Sequence, residues 1–152
     1  MLNRVSPRAV LITMRVLAFI GLGIATYLTV VHYGGFTVLC TSKHNACAQV
    51  QASIYSRIAG VPVALLGLIG YLGILFTLFV PEGEAARLGT LAITLFGFGF
   101  SLYLTYREVF TLQEICEWCV TSAGLMTALF GLSLYRYLRS PPLPSQPPVS
   151  PR

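Results

Sequence analysis

Charged residues are scarce in this sequence. They make up 10% of its 152 residues, with five acids against ten Lys and Arg, whereas a soluble domain carries about 25%. This shortage excludes an ordinary soluble domain. The net charge of +5 is not gathered in a basic run with interleaved aromatic residues, so it fits the flanks of membrane helices better than nucleic-acid binding. The length suits one bundle of about four spans and no second domain.

The sequence is rich in long hydrophobic runs. Four apolar runs, each roughly twenty residues long, match a bilayer core about 30 Å thick. They cover about residues 10–31, 61–80, 88–106 and 118–135. Because lipid offers the backbone no hydrogen-bond partners, each run must be a helix. The sequence therefore predicts an all-α integral membrane protein, with a four-transmembrane-helix bundle formed by residues 1–139.

The basic residues indicate an orientation. One group flanks the first span, the turn after the second span and the end of the fourth: Arg4, Arg8, Arg15, Arg87, Arg136 and Arg139. These places share one side if four spans cross, and the excess of basic residues predicts that both termini are cytoplasmic. Residues 140–152 hold six of the nine prolines and are expected to form a disordered cytoplasmic tail.

The four cysteines form two pairs. Cys40 and Cys47 follow the first span, and Cys116 and Cys119 directly precede the fourth. Two complete crossings lie between the pairs, and an even number of crossings returns the chain to the side it left. All four sulfur atoms are therefore expected at the outer face of the membrane. In bacteria that face is an oxidising compartment, where disulfides persist.

Three uses of these cysteines are open. Four thiolates could bind zinc, although the usual surroundings of a zinc knuckle are missing. Two structural disulfides would suit the first pair, but a bridge within "CEWC" closes a tiny loop and removes little chain entropy. In a redox site, the start of a helix would favour a thiolate, and the second cysteine would resolve a mixed disulfide. The lipid boundary would give such a pair access to a quinone.

Two neighbouring features would complete a redox site. Val50, Ile54 and Ile58 recur every fourth residue, which predicts an amphipathic half-helix that lies in the interface and caps the bundle. Trp118 could stack on a quinone ring, although a place in the aromatic belt of the membrane interface is the simpler interpretation.

The whole pattern resembles the vitamin K epoxide reductase family in its bacterial form. The matching features are the loop pair Cys40 and Cys47, Ser53 six residues later, "GVPVALLGLIGY" at 60–71 and "CEWCVTSAG" at 116–124. The order of loop pair, two spans and C-x-x-C is specific. DsbB-type proteins also have four spans, but their C-x-x-C lies in the first outer loop, so they are a weaker match.

This resemblance implies a quinone-dependent disulfide oxidoreductase. Cys119 would lie beside the quinone, Cys116 would exchange with Cys47, and Cys40 would meet the partner thiols, while Ser53 would support the site. The implied partner is a separate periplasmic thioredoxin-fold protein of the DsbA kind, because no thioredoxin-like domain follows the bundle. Its electrons would pass to ubiquinone or menaquinone in the bacterial inner membrane, and no metal is expected.

Two positions depart from the animal members that reduce the epoxide. Those members carry an Asn near the start of the second span and a Tyr four residues after the last cysteine of C-x-x-C. Val63 and Ala123 occupy the matching positions here. The resemblance therefore favours quinone reduction. A vitamin K epoxide reductase and a non-catalytic scaffold with structural disulfides are the alternatives.

Overall fold

The computed structural model describes residues 6–36, 38–39, 47–48, 52, 54, 57–58, 60–113 and 115–139. Most of them belong to four long helices: α1 (Pro7–Gly34), α2 (Val63–Phe79), α3 (Glu84–Arg107) and α4 (Glu117–Arg139). A π-helix, Glu108–Leu112, continues α3, and strands β1 (Arg57–Ile58) and β2 (Val61–Pro62) precede α2.

The lengths of the helices are those of a membrane protein. In the described part of the chain, α1, α4 and the stretch Glu84–Thr111 are long and apolar enough to cross a membrane, and α2 is a shorter apolar helix. The prediction of an all-α membrane protein is confirmed at this level.

Residues that cap α1 extend this helix beyond its apolar run. The hydroxyl of Ser6 accepts a hydrogen bond from the N–H of Ala9 at 3.3 Å, and Pro7 follows, which suits the first helical position. At the other end Gly35 has φ +64° and ends α1 in the left-handed region. Because hydropathy does not register such caps, α1 is three residues longer at each end than its predicted span.

The prediction of a half-helix before α2 is wrong at the carboxyl end of that segment. Ile58 lies in β1 and pairs antiparallel with Val61 of β2. Gly60 has φ +84°, a conformation that glycine adopts without the steric cost other residues meet, and the chain reverses there instead of continuing as a helix. Ile54 is 80% exposed, while Val50 lies outside the described residues.

The core of the bundle lies between α1, α2 and α4. Met14, Ile74 and Leu129 are fully buried there. A side-chain carbon at Gly21 would overlap the ring of Tyr71, so glycine is what lets α1 and α2 approach at this level. The Tyr71 hydroxyl reaches the backbone oxygen of Ser122 at 3.1 Å, which joins α2 to the first turns of α4.

Three arginines gather at the end of the bundle where α2 turns into α3. Arg15 donates to the carbonyl oxygen of Leu78 at 2.9 Å. Glu82, in the turn, pairs with Arg136 at 3.0 Å and with Arg87 at 3.3 Å. We call these residues the arginine end. The predicted grouping of Arg15, Arg87 and Arg136 on one side agrees with these contacts.

Candidate active site

Three cysteines meet at the opposite end of the bundle, which we call the cysteine end. Cys47 and Cys116 are both 0% exposed and form one buried cluster, with Val38, Trp118 and Cys119 packed against it. The structure thus brings Cys47 to the C-x-x-C motif. Cys40 lies outside the described residues.

Cys47 is disulfide-bonded in the structure, whereas Cys116 and Cys119 are free thiols.

Cys116 occupies the position directly before α4. The N–H of Val120 donates to its carbonyl oxygen at 3.0 Å, which is the first hydrogen bond of the helix. The neighbouring Cys119 side chain lowers the pKa of Cys116, and the backbone N–H groups of Cys119 and Trp118 reinforce this effect, while burial and the charge of Glu108 oppose it. The first N–H groups of α4 therefore add to the stabilisation of a Cys116 thiolate.

Glu108 is a site residue that the sequence analysis missed. It is 5% exposed, and its carboxylate accepts a hydrogen bond from the backbone N–H of Cys116 at 3.4 Å. Its carboxyl group also neighbours the side chain of Cys119, and both residues line one cavity. One signal was available, because an acid at the end of an apolar run is rare and usually functional.

Trp118 holds the loop that follows α1. Its Nε1 donates to the carbonyl oxygen of Leu39 at 2.9 Å, and its ring centroid lies 5.2 Å from that of Tyr27. The Tyr27 hydroxyl in turn accepts from the N–H of Leu39 at 3.2 Å. Two aromatic residues thus fix the backbone next to Cys40.

A cavity of about 590 Å³ opens between the four helices, and Cys119 lies in its wall. We call it the bundle cavity. Its lining is mostly apolar, with a few polar groups from Tyr71, Ser101, Thr105, Arg107, Glu108 and Ser122. This volume and lining are typical of a small-molecule site and suit a flat, largely apolar ring with polar oxygens.

Only some of the residues that the sequence analysis relates to a ligand line this cavity. Val63 and Ala123 line it, together with Cys119. Trp118 is missing from the lining that the described residues form, so its contact with a quinone stays a prediction. Ser53 lies outside the described residues.

One family model matches the chain, that of the vitamin K epoxide reductase family, over residues 12–134. The matched range includes both cysteine pairs, Glu108 and nearly all of the helices that surround the bundle cavity. It confirms the resemblance seen in the sequence. The chain therefore belongs to the vitamin K epoxide reductase family and is a membrane oxidoreductase.

Proposed function

We propose that this protein is a membrane thiol oxidase. It takes electrons from a periplasmic thioredoxin-fold protein of the DsbA kind, passes them through two cysteine pairs and reduces a membrane quinone, which supports disulfide formation. One observation carries the proposal: Cys47 is buried against Cys116, while Cys119, three residues later, lines the bundle cavity.

The electron route follows from thiol–disulfide exchange. A thiolate of the reduced partner attacks Cys40 in the Cys40–Cys47 disulfide and frees Cys47. The Cys47 thiolate attacks Cys116 in an oxidised Cys116–Cys119 pair and frees Cys119. Each exchange breaks one S–S bond and forms another, so two electrons move toward Cys119 without a metal. The second thiol of the partner then releases Cys40, whose thiolate attacks Cys47 in the Cys47–Cys116 bond, remakes the Cys40–Cys47 disulfide and leaves Cys116 and Cys119 both reduced. Loss of two electrons and two protons from this reduced pair to the quinone remakes the Cys116–Cys119 bond.

The contacts of Cys47 and Cys116 favour this order. Exchange requires a thiolate in line with a disulfide, and their burial in one cluster meets the need for proximity.

The lining of the cavity favours quinone over epoxide. Val63 and Ala123, the positions that carry polar groups in the epoxide-reducing animal members, line it and have apolar side chains. A quinone head group has a ring that apolar walls accommodate and oxygens that Ser122 or Thr105 could meet. Both ubiquinone and menaquinone satisfy this chemistry.

The topology proposed with this function has four membrane crossings by α1, α2, α3 and α4. The bundle domain comprises residues 1–139, and residues 140–152 form a cytoplasmic tail. Because arginines concentrate on the cytoplasmic side of membrane helices, the arginine end faces the cytoplasm and the cysteine end faces the periplasm of the inner membrane. At about 1.5 Å per residue, α2 is shorter than the apolar core of the bilayer, and the β1–β2 hairpin would complete its crossing at the outer surface.

An anaerobic titration tests this function. The purified protein is fully reduced, freed of reductant and titrated with soluble ubiquinone and menaquinone analogues, and the recovered disulfides are counted by thiol labelling. We expect one disulfide to form for each quinone reduced. Quinone added in excess without disulfide recovery would reject the proposal.

Two further assays separate the alternatives. Acid trapping of thiols in membranes should capture a mixed disulfide with a thioredoxin-fold protein, whereas a scaffold with structural bridges would yield none. Vitamin K epoxide and vitamin K quinone, assayed side by side with the same reduced protein, should give turnover with the quinone alone.

A further inference from the structure

The proposed electron route leaves one buried carboxyl group without a role. Glu108 contacts both cysteines of the C-x-x-C motif, through the backbone N–H of Cys116 at 3.4 Å and through the side chain of Cys119. It is 5% exposed and also lines the bundle cavity. It therefore lies between a reacting sulfur atom and the space in which a substrate would bind.

The backbone at Glu108 departs from regular α-helix. Glu108 is the first residue of the π-helix, and its N–H bonds to the carbonyl oxygens of both Leu104 and Thr105. Such turns are rare and occur frequently at functional sites. The wider turn sets the direction of the carboxyl group at the point where α3 meets the start of α4.

The neighbours of Glu108 determine what its carboxyl group can do. The ionisable groups that face it from α4 and the residue before α4 are Cys119 and Cys116. Arg107 precedes it on the same element, lines the same cavity and places its guanidinium 5.4 Å from the ring centroid of Tyr103. Glu108 accepts from the N–H of Cys116 and lies beside Cys119 at the wall of the same cavity, so a proton can pass between its carboxyl group and the Cys119 side chain.

Quinone reduction by a dithiol needs such a contact. When Cys116 and Cys119 form a disulfide, the sulfur atoms lose two electrons and two protons. A quinone takes up two electrons and two protons to become a quinol. The apolar cavity offers few groups that could carry a proton across the gap.

We propose that Glu108 is the proton-transferring residue of this site. Its carboxylate takes the proton of the Cys119 thiol and, as the carboxylic acid, gives it to an oxygen of the quinone. This inference rests on the proposed quinone reduction. It makes Glu108 a catalytic residue, because it touches a reacting sulfur atom.

The step balances. The S–H bond of Cys119 breaks as an O–H bond forms on Glu108. The Cys116 thiolate then bonds to the Cys119 sulfur, and two electrons pass to the quinone. One proton of the quinol comes from Glu108, which returns to the carboxylate. The other comes from water and replaces the proton that Cys116 released to water when its thiolate formed.

Three variants test the proposal kinetically. Glu108→Gln keeps the shape of the side chain but cannot carry a proton, Glu108→Asp keeps the carboxyl group, and Glu117→Gln is the matched control, because Glu117 is exposed beside Cys116. In a single turnover of the reduced protein, we expect Glu108→Gln to slow quinone reduction on the order of 100-fold and to lose the wild-type pH dependence. Glu108→Asp should recover part of the rate, and Glu117→Gln should match wild type.

Exchange between Cys47 and Cys116 is measured in the same proteins and should be unchanged. Equal rates of quinone reduction in Glu108→Gln and wild type would overturn the proposal. So would an equal loss of exchange and of quinone reduction in Glu108→Gln, because that result indicates a structural role. If reduced wild-type protein fails to react with quinone, the proposed function fails first.

A second measurement needs no quinone. The reduced wild-type protein is oxidised with diamide, and infrared difference spectra are recorded in the region of the carboxylic-acid C=O stretch. We expect a carboxyl band whose intensity changes as the Cys116–Cys119 bond forms, which shifts in Glu108→Asp and is absent from Glu108→Gln. A wild-type spectrum without any change in a carboxyl band would overturn the proposal. This result does not depend on whether the variants fold.

Discussion

The two ends of this bundle use the same residue type in opposite ways. At the arginine end, Glu82 has a side chain that is 50% exposed and is held by Arg87 and Arg136. At the cysteine end, Glu108 is 5% exposed and faces Cys116 and Cys119. The first carboxylate meets water and two guanidinium groups, whereas the second is buried beside the cysteines, which is the environment on which the proposed proton transfer rests.

The electrostatics of the two ends follow the same division. Partial burial opposes ionisation of Glu82, but the charges and hydrogen bonds of Arg136 and Arg87 outweigh it and lower the pKa of Glu82. At the other end, the neighbouring Cys119 side chain lowers the pKa of Cys116 in spite of its burial. One end therefore stabilises a permanent charge, while the other stabilises a nucleophile.

The largest expected effect lies at the cysteine end. Cys119→Ala should abolish quinone reduction, because it removes the only thiol among the described residues that line the bundle cavity. Cys47→Ala should leave the first turnover of a pre-reduced Cys116–Cys119 pair intact and should block turnover with a thioredoxin-fold partner. Anaerobic stopped-flow with a soluble quinone measures both. Normal quinone reduction by Cys119→Ala would reject the assignment.

Between the two ends, Gly21 allows Tyr71 to approach α1. Gly21→Ala would force the fully buried Tyr71 ring to move and strain its hydrogen bond to Ser122, so we expect destabilisation of about 1–3 kcal/mol and slower quinone reduction. Gly23→Ala is the matched control, since a side-chain carbon there meets nothing within 4 Å. Thermal unfolding in detergent compares the two, and equal stability would show that the contact between α1 and α2 relaxes freely.

A smaller effect should separate the two possible roles of Trp118. Trp118→Phe keeps a ring near Tyr27 but loses the hydrogen bond to Leu39, which is worth about 0.5–1.5 kcal/mol. We expect slower exchange between Cys47 and Cys116, by up to about tenfold, and unchanged reduction of quinone by the pre-reduced pair. Weaker quinone binding with normal exchange would instead identify Trp118 as a residue that contacts the quinone ring.

The smallest effect is expected at the arginine end. Glu82→Gln should leave quinone reduction unchanged and lower the free energy of unfolding at neutral pH by no more than about 1 kcal/mol, because solvent screens exposed pairs. The folded pKa of Glu82 lies below its unfolded value of about 4.5. Its stabilisation is therefore present above that pH and is lost as the pH falls through the folded pKa. Unfolding curves of wild type and variant should converge in acid; a constant difference would contradict the assigned pairing.

Much of the fold could be predicted because hydrophobic length is a local property. The apolar run that ends at Val31 predicted α1 to within three residues at each end, and two crossings between the cysteine pairs predicted that the pairs lie on one side; the contact between Cys47 and Cys116 was implied by the family resemblance. The hairpin at Gly60 could not be predicted in this way, because the period of Val50, Ile54 and Ile58 fits a helix until one residue with positive φ reverses the chain.

The sequence by itself determined the membrane class and the family, because apolar runs, C-x-x-C spacing and their order are properties of the chain alone. Only the tertiary structure decided that Glu108 touches Cys119, that Trp118 holds Leu39 and that a cavity opens beside the sulfur. Those contacts depend on the rotation and register of packed helices, and on one π-helical turn. No local pattern in the sequence fixes such a geometry.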